Sequence, residues 1–382
     1  MRIAYFTEVF LPKIDGITVT LTHLLEYLEE RGHESIMFAP KSSVDSYAAT
    51  EIIQHLSMRP PFYPEMRVAS PLARVEKELL AFNADIIHLV NPTSLGLAGL
   101  RVARKHQIPV VASYHTDLPG FARRWKLGFL AKPIYGYYRW VHNQANLNLT
   151  PSQFTLKQLK AQGFKRLAVW TGGVDIDSFH PSFASPEMRA RLSGGEPDKP
   201  LVLFISRLSK EKRVDWLLPI VQEIPGIRLA IVGDGPDRSH LEELFAGTPT
   251  VFTGYLHGAE LASAYASGDI FAFTGAEETF GNVVAEAMAS GLAVVAPRSG
   301  GVVDLVEEGL TGRLYRPENH EKFLACVREL AGNLVQAKKM GEAGKVKIRQ
   351  YAWEATLDNL LSVYTDVVQK STKIAKRGKA TT

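Results

Sequence analysis

The stretch AEETFGNVVAEAMASG, residues 276–291, sets two carboxylates, Glu278 and Glu286, around an apolar run that stops at Ser290-Gly291. It reads as a loop followed by a helix that starts near Gly281-Asn282. The first backbone amides of that helix, around Phe280, Gly281, Asn282 and Val283, would have no partner inside it and could hold a diphosphate. Glu278 would then lie at the mouth. Glu286 would be about 12 Å further on if both segments were helical, too far to serve the same atom. Two carboxylates at different depths suit two parts of one long ligand, such as sugar hydroxyls and a ribose diol. The plainer alternative is an acidic loop followed by a glutamate on a helix surface.

FISRLSKEKRVDWLL sends Arg207 and Lys212 out of the end of an apolar run. One cation could be a solvated loop charge. Together they point to an anion clamp, with Arg as a rigid fork of donors and Lys as a mobile point charge. In SYHTDLPG, His115 directly follows another such run, with Asp117 close behind; it is either a structural histidine or a group facing a ligand. Asp15-Gly16, ahead of a helical pattern, is either an ordinary turn or a place where backbone approaches a phosphate. VGDGPDRSHL begins like a dinucleotide fingerprint at Gly233 and Gly235, but Arg238 stands where the third glycine belongs, which disfavours a nicotinamide enzyme.

The elements that must position these groups alternate short apolar runs with amphipathic stretches, the pattern of a parallel α/β fold. RIAYF, ESIMFAP, ADIIHLV, IPVVASYH and ANLNLTPS form one series. KPLVLFISR, RLAIVGDG, PTVFTG, DIFAFTG and LAVVAP form a second. Open parallel sheets take ligands beyond the carboxyl ends of their strands, where all these groups stand. The reading is a first domain over 1–180, a linker within 175–199, and a second domain over 199–352. The apolar helix 353–368 is placed against the first domain, and the tail from 370 onward is expected to be disordered.

At 382 residues and 46% hydrophobic content, the chain can fill two cores. Its 44 Lys and Arg against 40 Asp and Glu leave a formal charge of +4, too little to argue for nucleic acid. One cysteine, Cys326, excludes an internal disulfide, and MRIAYFTEVF lacks the features of a signal peptide, which favours the cytosol. FARRWKLGFLAKPIYGYYRW, 121–140, interleaves cations including Arg123, Arg124 and Lys126 with aromatics including Trp125. It is either a core helix with a solvated basic face or a surface for an anionic membrane.

ETFGNVVAEAMASG is similar to the E-x7-E signature of retaining glycosyltransferases of family 4. FTEVFLPKIDGI, ASYHTDLPG, TGGVDIDSFHP, SRLSKEK and VAPRSGGVVDLVEEGLTGRLY resemble that family in the same order, over nearly the whole chain. The resemblance implies a GT-B fold, two Rossmann-like domains with parallel sheets facing across a cleft, acceptor mainly on the first and nucleotide sugar mainly on the second. It implies that Arg207 and Lys212 bind the donor diphosphate, and that Glu286 binds the ribose hydroxyls. Glu278, with Phe280, Gly281 and Asn282 beside it, would contact the donor sugar; His115 would lie near the transferred sugar and Gly16 in the loop over the phosphates. The family commonly has an aliphatic residue at Asn282.

ETFGNVV looks closest to the sulfoquinovosyltransferases, which implies transfer from UDP-sulfoquinovose to diacylglycerol at the cytoplasmic face of a membrane. The expected mechanism retains configuration and needs no cofactor or metal. Gluco- or mannosyl transfer to diacylglycerol or phosphatidylinositol is the alternative substrate assignment. A nucleotide-sugar epimerase and a two-lobed sugar-binding protein are the rivals from other classes.

Overall fold

RIAYF forms strand β1 (Arg2–Phe6), buried from Ile3 onward as expected of a strand covered on both faces. The helix Gly16–Glu30 that follows is capped by Asp15, whose Oδ1 accepts from the amides of Ile17 and Thr18. Leu21, Leu24, Leu25 and Leu28 give that helix its buried stripe. The chain returns through β2 (Glu34–Pro40), β3 (Ser46–Tyr47) and β4 (Thr50–His55). A separate antiparallel ribbon joins β5 (Ser57–Met58) to β6 (Val68–Ala69). Then come β7 (Ile86–Leu89), β8 (Val110–Ser113), β9 (Leu147–Thr150) and β10 (Leu167–Val169). The computed structural model describes residues 1–13, 15–58, 68–69, 74–115, 129 and 131–379.

Among the described residues the first sheet runs β10-β9-β8-β7-β1-β2-β4-β3, parallel except for the short β3. The second is built from β11 (Leu201–Ile205), β12 (Arg228–Val232), β13 (Thr250–Gly254), β14 (Ile270–Ala272), β15 (Ala293–Pro297) and β16 (Gly312–Tyr315). Its order is β13-β12-β11-β14-β15-β16 with every pairing parallel. This is the doubly wound order 3-2-1-4-5-6, and its direction reverses between β11 and β14.

The chain divides into two units, Met1–Thr171 with Glu354–Thr382, and Gly172–Trp353. The boundary therefore precedes the expected linker at 175–199, and the first domain ends before 180. Pro, Ser and Gly in that stretch mask a short helix, Pro186–Leu192, capped by Ser185. Its Met188 and Leu192 enter the core of the second unit, and Arg189 pairs with Asp269 at 2.8 Å.

The helix Trp353–Lys379 runs past residue 370, where disorder was expected. Leu357, Leu360 and Tyr364 are buried. Trp170 Nε1 donates to the Thr356 carbonyl at 3.1 Å, Tyr27 donates to Asp358, and Arg31 pairs with Glu354 at 3.0 Å. All of these partners belong to the first unit.

Candidate active site

In the second unit, the loops after β11 and β14 leave the sheet side by side at the point where strand order reverses, the usual ligand position in an open α/β sheet. Lys212, on the first loop, forms an ion pair with Glu278 on the second. Both side chains are largely buried, and the Thr274 hydroxyl donates to the Lys212 carbonyl at 2.5 Å. The ammonium also lies 5.9 Å from the centre of the Phe273 ring. Arg207, on the same loop as Lys212, is exposed and makes no ion pair among the described residues. The site thus holds one compensated cation and one that is free to meet an anion.

Four glycines let these loops pack. A Cβ on Gly233 would stand 2.0 Å from the Ser206 carbonyl oxygen, and one on Gly235 would stand 2.2 Å from that of Leu208. VGDG is therefore a backbone wedge under the Arg207 loop, which accounts for two glycines without the third of a dinucleotide fingerprint. A Cβ on Gly300 would come within 2.2 Å of the Glu278 carbonyl oxygen, and one on Gly301 equally close to that of Thr279. The amide of Gly301 donates to the Glu278 carbonyl at 2.7 Å.

The helix begins at Asn282 and ends at Ala289, close to the bounds read from the sequence. Gly281, with φ 103°, is its cap, and no side chain caps it. The amides of Val284 and Ala285 both reach the Gly281 carbonyl at 3.0 Å, while those of Asn282 and Val283 have no acceptor within the helix. Asn282 is thus the first helical residue rather than the cap. A Cβ on Gly172 would meet its Oδ1 at 3.5 Å, and would meet the ring of Phe280 at 2.9 Å. Glu286 is half-buried and accepts a hydrogen bond from the hydroxyl of Tyr265 at 2.8 Å. Burial raises its pKa to about 6, with the Tyr265 bond pulling the other way. Glu278 and Glu286 thus have separate partners, in keeping with separate parts of one ligand.

In the first unit, His115 follows β8 and its ring meets Trp170 edge-on at 5.9 Å. Desolvation lowers its pKa to about 4 against the opposing charge of Asp15, so the imidazole is neutral at pH 7. It can exchange hydrogen bonds with hydroxyls without carrying charge. Beyond Trp170 lies His88, fixed between Ser113 Oγ at 2.7 Å and the Tyr364 hydroxyl at 2.5 Å. Gly16 is exposed at the first turn of its helix, next to Asp15. Asp117, Arg123, Arg124, Trp125 and Lys126 lie outside the described residues. Past them, the helix Ala131–His142 buries Tyr138 and Val141 and leaves Trp140 53% exposed, and Phe129 just before it is 73% exposed.

The sequence reading missed Tyr265, His88 and the Gly300-Gly301 wedge as parts of these sites. The only local sign was the paired glycine after an apolar run in VAPRSGG.

Residues 14–178 match the model of Glycosyltransferase Family 4, and residues 199–333 that of Glycosyl transferases group 1. Sulfoquinovosyl transferase SQD2 of Arabidopsis thaliana is 38% identical over 93% of this chain and 71% of its own. The chain belongs to glycosyltransferase family 4. A second relative in the family, a GDP-mannose-dependent alpha-mannosyltransferase of Mycobacterium tuberculosis, is 37% identical over 96% of this chain and 97% of its own. An alpha-monoglucosyldiacylglycerol synthase of Streptococcus pneumoniae is 28% identical over 88% and 78%.

Among solved structures, sucrose-phosphate synthase from Thermosynechococcus elongatus superposes with a TM-score of 0.80 at 19% identity, covering 97% of this chain and 99% of that one. Anabaena HepE in complex with UDP and glucose gives 0.75 at 19% identity, covering 96% and 100%. The fold of this family 4 member is GT-B. It is a glycosyltransferase, which sets aside the epimerase and the sugar-binding protein. Among the described residues no helix is long and apolar enough to cross a membrane.

Proposed function

We propose that this glycosyltransferase moves sulfoquinovose from UDP-sulfoquinovose to diacylglycerol with retention of anomeric configuration. The observation that carries the chemistry is the Lys212–Glu278 pair at the β11/β14 edge, with Arg207, exposed and in no ion pair among the described residues, on the same loop. As the bond from the anomeric carbon to the diphosphate breaks, negative charge grows on the leaving oxygen. Arg207, Lys212 and the amides of Asn282 and Val283 stabilise that charge. The acceptor oxygen bonds to the anomeric carbon, and its proton passes to the departing phosphate on the same face. Glu278 holds the sugar and Glu286 the ribose; the neutral His115 of the first unit keeps the role near the transferred sugar that the family resemblance implies. Two protein cations supply the charge stabilisation, so the reaction proceeds without a metal.

The choice of sugar and acceptor rests on the likeness to SQD2 and on Asn282. Its amide donates two hydrogen bonds to a sulfonate, which an aliphatic residue could not do. Exposed Phe129 and Trp140, both within the basic and aromatic stretch 121–140, support docking on an anionic membrane, which we assign to the cytoplasmic face. The 37% identity to a GDP-mannose-dependent enzyme favours a second reading, mannosyl transfer from GDP-mannose.

A panel of labelled UDP-sulfoquinovose, UDP-glucose and GDP-mannose with diacylglycerol vesicles, with and without EDTA, tests both. The expected result is sulfoquinovose in lipid, unaffected by EDTA, and an Asn282→Leu variant whose kcat/KM falls more for UDP-sulfoquinovose than for UDP-glucose. Label entering lipid only from GDP-mannose would replace the first reading with the second.

A further inference from the structure

Tyr265 is fully buried on the helix Gly258–Ala266, met edge-on by Phe179 at 5.4 Å and tilted against Phe271 at 5.8 Å. Its one polar side-chain atom points at Glu286 Oε2, 2.8 Å away. The other carboxylate oxygen, Oε1, makes no hydrogen bond among the described residues, and the residue is half-buried. A phenol in a dry core needs an acceptor, but a backbone carbonyl or a hydroxyl would satisfy it without placing a carboxylate where burial disfavours its charge. The arrangement is reasonable if the carboxylate is kept for its open oxygen. The ring is held by its contacts with Phe179 and Phe271, so its hydroxyl fixes the torsion of a side chain that otherwise has three rotatable bonds.

We infer that Tyr265 is a positioning residue that locks Glu286 so that Oε1 accepts a ribose hydroxyl of the nucleoside diphosphate, making this buried tyrosine a determinant of ribose over deoxyribose. The inference rests on the ribose role proposed for Glu286 and adds the group that makes that role selective. A hydroxyl bonded to an oriented carboxylate is worth more than one bonded to a mobile carboxylate, because less freedom is lost on binding.

The test is calorimetric binding of UDP and GDP, each against its 2′-deoxy analogue, to the wild-type chain and to Tyr265→Phe and Glu286→Ala, with melting temperatures alongside. In the wild type the ribose form of the nucleotide that binds should be favoured about tenfold. That ratio should fall to nearly one in Glu286→Ala, and to about two or three in Tyr265→Phe with the melting temperature lowered by only a few degrees, the cost of about one hydrogen bond. A ratio that drops in Glu286→Ala but stays at its wild-type value in Tyr265→Phe overturns the positioning role alone. A ratio unchanged in Glu286→Ala overturns the ribose assignment and the inference with it.

Discussion

Lys212 and Glu278 neutralise each other in a largely buried setting, so removing either leaves the other uncompensated. Lys212→Ala should cut kcat about 100- to 1000-fold, the usual cost of losing one preorganised partner for a leaving oxyanion, and should also lower the melting temperature, because Glu278 is left without its counter-charge. A wild-type kcat measured for this variant would remove Lys212 from the mechanism. Glu286 offers a pH signature. Burial raises its folded pKa to about 6, so the folded state binds this proton more tightly than the unfolded one, and the associated stability is lost as pH rises from about 4.5 through about 6. Nucleotide binding should run the opposite way, because ribose hydroxyls donate to the ionised form. Affinity should therefore weaken from pH 7 to pH 5, and comparison with Glu286→Gln should separate this component from titration of the nucleotide itself.

Loops that carry charged groups keep their shape only if something supports them, and here the support is backbone on backbone. Gly233 and Gly235 lie under Ser206 and Leu208, on either side of Arg207. Gly235→Ala should force the two loops apart, costing about 1 to 3 kcal/mol in stability and also lowering kcat/KM. Thermal melting and kinetics on the same preparation check both. A variant with wild-type activity and melting would show that the Arg207 loop does not depend on this contact. The helix Asn282–Ala289 shows the same economy, since a glycine cap at φ 103° leaves its first amides open where a side-chain cap would have occupied one.

Over the whole chain, the last helix is the element that leaves its sequence neighbours. It follows the second unit in sequence but belongs to the first, where Tyr364 joins His88 and Tyr5 in a buried polar cluster two rings away from His115. Tyr364→Ala should destabilise the protein by about 3 to 5 kcal/mol, as deletion of a buried aromatic does. Urea unfolding followed by tryptophan fluorescence would register this, with Trp170 hydrogen-bonded to the same helix as a local reporter. Loss of less than about 1 kcal/mol would mean that the helix is dispensable to the first unit.

Much of this was legible in the sequence because it is local. Alternating apolar runs give the strands, and Gly281 and Ser290-Gly291 give the limits of one helix. The residue after a strand end names Arg207, His115 and the loop of Glu278 as candidates. What the sequence hid is set by contacts between distant segments. Composition made 175–199 look like a linker because a seven-residue helix with two buried side chains carries little periodicity. Strand order put β11 next to β14 and so brought Lys212 to Glu278 across 66 residues. The need of one buried phenol for an acceptor joined Tyr265 to Glu286. Periodicity and turn chemistry report which way a side chain faces, whereas its partner is chosen by packing, which only the folded chain specifies.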